Sequence, residues 1–145
     1  MASVLIAEED RLLRWSLEEK LRHYGYAVRS VESGPAAVEA ASGGSYRVAV
    51  ISFDAADPSG ARTLRWIKFR SPETHVIVMT SDPSSQVERH ARNLGAFDVL
   101  EKPFPLAMMQ PAVERAAVTP ERRKGPRGCC SGCEWMKPCP DWQIP

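Results

Sequence analysis

The sequence predicts an α/β fold, a doubly wound parallel sheet of five strands with helices on both faces. Two observations carry that prediction. Five short apolar runs recur, Val4-Leu5-Ile6-Ala7, Tyr26-Ala27-Val28, Val48-Ala49-Val50-Ile51, Val76-Ile77-Val78-Met79 and Phe97-Asp98-Val99-Leu100, with segments of helical spacing between them. The third and fourth runs are continuous rather than alternating and rich in β-branched residues, as in strands buried on both faces. Strands that alternate with helices imply right-handed crossovers and a parallel sheet.

Each helix has its own signature. Leu13, Leu17, Leu21 and Tyr24 keep one face of the first, and Gly25 supplies the stop. Ser33 caps the second, with Pro35 in its first turn. Leu64 and Ile67 mark the third, which begins near Ser59-Gly60. Asp82-Pro83 opens the fourth, Val87, Ala91 and Leu94 line it, and Gly95 ends it. Pro105 opens the fifth, with Leu106, Met109, Val113 and Ala116 on one stripe.

A length of 145 residues suits one domain. With 19 Lys+Arg against 18 Asp+Glu, the net charge of +1 excludes a strongly basic nucleic-acid binder and an acidic solvating tail. No apolar run approaches the ~18 residues of a membrane span. The N-terminal MASVLIAEEDR turns acidic with no basic leader, so no signal peptide and a cytoplasmic location are expected. Composition then changes sharply. Residues 1–118 read as a domain with a core, whereas 119–145 hold all 4 Cys and read as a linker and appended tail. No internal repeat is present.

In a doubly wound sheet, ligands sit beyond the carboxyl ends of the strands. Glu8, Glu9 and Asp10 follow the first run, Ser52, Phe53 and Asp54 the third, Thr80 and Ser81 the fourth, and Glu101, Lys102 and Pro103 the fifth. Clustered hard oxygens suit Mg²⁺, and a lysine and a hydroxyl suit phosphoryl oxygens. The plainer reading of the same residues is a set of solvated loop ends.

The order and spacing of Val4–Asp10 (VLIAEED), Val76–Ser81 (VIVMTS), Gly95–Phe104 (GAFDVLEKPF) and Gly60 resemble the receiver domain of two-component response regulators, of the NtrC-like type, over roughly residues 3–117. The resemblance implies a flavodoxin-like sheet of order 2-1-3-4-5. It makes Glu8 and Glu9 the acidic pair, with Glu9 the direct Mg²⁺ ligand, Thr80 the switch hydroxyl and Lys102 the phosphoryl-binding lysine, joined to Pro103 by a cis peptide. It also exposes departures. The phosphoacceptor position, eight residues before Gly60, is Ser52, and the loop proline four residues later is Ala56. Glu replaces Asp in the acidic pair, and the aromatic switch position is Val99.

A serine hydroxyl cannot form the acyl phosphate that receivers use, and it is a poorer Mg²⁺ ligand than a carboxylate. Asp54 is the substitute acceptor to test, on the same strand face but ~6–7 Å further on. A Ser–Lys hydrolase site from Ser52, Lys102 and Glu9 lacks an oxyanion hole or substrate pocket in its support. His23, His75 and His90 are scattered and read as ordinary surface or satisfied residues. In the tail, Cys129, Cys130, Cys133 and Cys139 could hold zinc or an iron–sulfur cluster, but they are not two separated pairs. Arg122-Arg123-Lys124 reads as a solvated linker. The expectation is a stand-alone receiver-like module of a phosphorelay, non-enzymatic and degenerate, with weak Mg²⁺ binding. Its partner would be a signalling protein such as a histidine kinase, with no specific nucleic acid and no membrane. The alternatives are a phosphorylatable receiver using Asp54, or a metal- or redox-responsive adaptor acting through the Cys-rich tail.

Overall fold

A computed structural model describes residues 3–43, 46–53, 59–81, 85–102 and 104–119. Strand β1 (Ser3–Ala7) is followed by α1 (Arg11–His23), β2 (Ala27–Val31), α2 (Gly34–Gly43), β3 (Val48–Ser52) and α3 (Ser59–Arg70). Then come β4 (His75–Thr80), α4 (Ser85–Asn93), β5 (Asp98–Glu101), a 3₁₀ turn (Leu106–Met108) and α5 (Met109–Val118). All strands are parallel, in the order β2-β1-β3-β4-β5.

The two continuous runs are β3 and β4, which lie inside the sheet and are apolar on both faces. Alternate residues serve opposite layers. Leu5, Ala49, Ile51, Val76 and Val78 pack under α2, α3 and α4, against residues such as Ala37, Leu64, Ile67 and Ala91. Val4, Ile6, Val50, Ile77 and Met79 pack under α1 and α5, against Leu17, Leu21, Met109 and Val113. Full burial of a side chain such as Leu5 or Ile77 is worth about 1.5–3 kcal/mol, so the two layers fix strand register strongly.

Caps and stops act where the sequence placed them. Ser33 Oγ accepts from Ala36 N at 3.2 Å, and Gly25 and Gly95 adopt φ of +95° and +107° at the helix exits. Asp10, read as one of the strand-end acids, is also the N-cap of α1, accepting from Leu12 N at 2.9 Å and Leu13 N at 3.2 Å.

Boundaries shift at the sheet edges. The second run begins at Tyr26, but β2 spans Ala27–Val31 and mixes exposed with half-buried residues, because an edge strand need not be apolar throughout. Pro105 caps the 3₁₀ turn, and α5 proper starts at Met109. His75, which the sequence left without a partner, is buried at the start of β4 and its Nε2 lies 3.0 Å from Thr119 O. Arg47 Nε donates to Ala117 O at 2.8 Å. These two contacts tie the end of α5 to the lower rim of the sheet and bring Thr119 into the folded unit.

Candidate phosphoryl-type site

The parallel sheet delivers the carboxyl ends of β1, β3, β4 and β5 to one edge, and a cavity of about 200 Å³ opens there between the loops after β1 and β2 and the start of α3. Glu8 follows β1 one residue beyond the Ala7–Ile51 pairing, which sets it beside Ser52. Lys102 follows β5, and its main-chain N–H donates to Thr80 O at 2.7 Å, continuing the β4–β5 ladder past its last residue.

Three side chains meet. Lys102 Nζ lies 2.5 Å from Glu8 Oε1 and donates to Ser52 Oγ at 2.9 Å, and Ser52 Oγ donates more weakly to Glu8 Oε1 at 3.4 Å. The other Glu8 oxygen accepts from Asp10 N at 3.2 Å, and the Glu8 carbonyl accepts from Arg14 Nη1 at 2.9 Å. The Glu8 side chain is only 4% exposed against 21% for Lys102. A nearly buried carboxylate must be paired and hydrogen-bonded, and this one is both.

Gly60 allows β3 and α3 to close around the site. A Cβ there would stand 2.8 Å from Ser52 O and 2.9 Å from Phe53 Cα, both backbone atoms with no freedom to swing aside. The loop glycine expected from the resemblance thus has a local cause in the approach of α3 to the end of β3.

Of the residues singled out in the sequence, the structure brings Glu8, Ser52 and Lys102 into contact, and places Glu9, exposed, on the cavity wall. Thr80 is buried at the end of β4 and does not line the cavity. Val99 is partly buried against the core layer of α2–α4. Asp54, Ala56, Pro103, Cys129, Cys130, Cys133 and Cys139 lie outside the described residues. Glu32 and Ser33, from the loop after β2, and Thr63 of α3 also line the cavity, although the sequence reading assigned none of them to the site and gave Ser33 only as a helix cap. Glu32 and Ser33 owe their place to β2 lying beside β1, and Thr63 to the approach of α3 to the end of β3, so no local signal marks them as site residues.

The donor set can be weighed against Mg²⁺, which needs several hard oxygens in near-octahedral array. Glu8 is neutralised by Lys102, Asp10 is occupied as a helix cap, and Ser52 offers a neutral hydroxyl. Among the described carboxylates that line the cavity, Glu9 remains uncommitted. Among the described residues no three His, Cys, Asp or Glu side chains converge in metal-ligating geometry. Among the described residues, this donor set does not make up a tight Mg²⁺ site of the phosphoacceptor kind.

A five-stranded parallel sheet with acids after β1, a hydroxyl after β4 and a lysine after β5 defines a receiver-type module. The chain matches the response regulator receiver domain over residues 4–114 and belongs to that family. It is 31% identical over 124 residues to the DNA-binding transcriptional regulator NtrC of Escherichia coli, covering 86% of this chain and 26% of that protein. It is 29% identical over 113 residues to the transcriptional regulatory protein ZraR of Escherichia coli, covering 78% of this chain and 26% of that one. The chain therefore spans about a quarter of the length of these relatives. Among solved structures, the BeF₃-activated receiver domain of DrrB superposes with a TM-score of 0.72 at 26% identity, over 80% of this chain and 97% of that one. A Francisella response regulator receiver domain, at 21% identity and TM-score 0.74 over 81% of this chain and 97% of its own, shares the fold. The chain is thus a receiver domain of two-component signalling. Among the described residues no helix is long and apolar enough to cross a membrane.

Proposed function

We propose that this receiver works without phosphorylation, as a cytoplasmic, non-enzymatic module that acts by binding a signalling protein of a two-component system, such as a histidine kinase. One observation carries the reading. At the end of β3 stands Ser52, and the lysine that would hold a phosphoryl group is already paired with Glu8. A hydroxyl at this position yields at most a phosphate ester, not the labile acyl phosphate of a carboxylate acceptor. The ion pair also engages the lysine and one of the carboxylates on which phosphoryl and metal binding would draw.

The contact between Glu8 and Lys102 supports the same reading. The pocket's electrostatics are then satisfied internally, so conformation and partner binding depend on the fold rather than on a phosphodonor. Backbone amide spectra recorded with and without beryllofluoride and Mg²⁺ test this. The expected spectra superimpose. Shifts spreading from the cavity to Thr80 and α4 would mean that the pocket still responds to a phosphoryl mimic.

A further inference from the structure

Helix α3, which lines the cavity only through its first residues, has an unusual charge pattern. Its sequence, SGARTLRWIKFR, contains four cationic residues and no acidic one. Lys68 is buried and donates to Pro72 O at 3.0 Å and Thr74 O at 2.9 Å, so it closes the turn into β4. Arg62 and Arg70 are exposed and, with Trp66 between them, occupy positions i, i+4 and i+8 of one helical row.

Elsewhere in the domain, the exposed Arg11, Arg29 and Arg89 join no ion pair among the described residues, whereas three others pair with the chain's own acids. Arg22 meets Glu18, Arg92 meets Glu88 and Asp98, and Arg115 meets Asp98. Neither Arg62 nor Arg70 joins an ion pair among the described residues. The Arg70 guanidinium instead lies over Trp66, 4.9 Å from its ring centroid, and Phe69 meets the same indole edge-on at 5.9 Å. A guanidinium stacked on an indole keeps its in-plane N–H groups free for a carboxylate.

We propose that the outward face of α3 is a docking surface for an acidic segment of a protein partner, with Arg62 and Arg70 as its two carboxylate receptors and Trp66 as the apolar contact between them. Eight residues of helix separate the arginines by about 12 Å. A helix with two acids seven residues apart, flanking an apolar side chain, matches that span. The geometry disfavours nucleic acid. Trp66 is half-buried, with Arg70 on its ring and Phe69 at its side, which leaves poor access for base stacking. Two arginines also give few of the phosphate contacts on which nonspecific binding depends.

The proposal rests on the reading above only for the partner's class, since position 52 takes no part in it. Its test uses the full 145-residue chain. A fluorescently labelled helical peptide with two glutamates seven residues apart around a leucine is titrated by anisotropy, beside a labelled single-stranded oligonucleotide. Salt-sensitive peptide binding is expected, weakened about tenfold by Arg62→Glu/Arg70→Glu and also by the milder Arg62→Gln/Arg70→Gln. The control Arg11→Glu/Arg89→Glu, which moves the same charge on α1 and α4, should bind as the native protein does. Equal weakening in the control, binding of the oligonucleotide alone, or no peptide binding would overturn the proposal. A response to beryllofluoride with peptide binding intact would sink the earlier reading and leave this one standing.

Discussion

Lys102 Nζ lies 2.5 Å from Glu8 Oε1, so the ammonium after β5 is neutralised by the acid after β1 rather than by the residue that ends β3. That residue is Ser52, which offers the lysine only an uncharged hydroxyl as acceptor. The pair sits where solvent screening is weak, Glu8 being almost wholly buried. The same contact that stabilises the apo pocket occupies the groups that a metal ion or phosphoryl group would need.

Breaking that contact from one side should be costly. Lys102→Met leaves the Glu8 carboxylate buried and unpaired, and should destabilise the domain by about 3 kcal/mol. Adding Glu8→Gln removes the orphaned charge and should recover much of the loss. Chemical denaturation of the two single variants and the double variant gives the coupling directly. Additive losses would show that the two side chains do not depend on each other.

Gly60→Ala should destabilise by about 1–3 kcal/mol, because the added methyl meets Ser52 O and Phe53 Cα of the backbone. Thermal melting checks this. An unchanged midpoint would mean that α3 can move off the end of β3 at little cost.

Ser52→Asp should place a second carboxylate within reach of Lys102 and create the anionic ligand that the native pocket lacks. Native Mg²⁺ affinity is expected in the millimolar range or weaker, equivalent to only about 4 kcal/mol at 1 mM. The variant should bind at least about tenfold more tightly by calorimetry. It should be less stable than the native protein without metal and regain stability with Mg²⁺. Micromolar affinity in the native protein would contradict the donor-set argument. Unchanged affinity in the variant would mean that position 52 is not what excludes the metal.

Truncation should locate the end of the folded unit. Removing 120–145 keeps Thr119, whose carbonyl lies 3.0 Å from His75 Nε2, and should leave the melting temperature nearly unchanged. Removing 117–145 loses that contact and the one from Arg47 to Ala117 O, at about 1 kcal/mol each. A large loss on the shorter deletion would make residues beyond 119 part of the structure.

The sheet was legible because β3 and β4 are buried on both faces and so read as unbroken apolar runs, and because Gly25 and Gly95 mark helix exits that need positive φ. Edge strands were less legible: β2 alternates exposed and half-buried residues, so its boundary had no apolar contrast to mark it. At the site, a serine after β3 and a lysine after β5 could be picked out by spacing. Which of two adjacent glutamates turns inward could not, because that depends on how the chain leaves β1 toward the Asp10 cap. Glu8 is the buried one, and Glu9 faces the cavity from an exposed position. The cavity wall from Glu32, Ser33 and Thr63 was also beyond local reading, since it forms only when distant segments assemble.

The central claim is that the receiver does not take up a phosphoryl group, and intact-mass spectrometry after incubation with acetyl phosphate and Mg²⁺ tests it most directly. The expected spectrum shows the unmodified chain alone, before and after hydroxylamine. A stoichiometric increment of one phosphoryl group that hydroxylamine removes, and that vanishes in Asp54→Asn, would show a working acceptor two residues beyond Ser52 and would contradict the account.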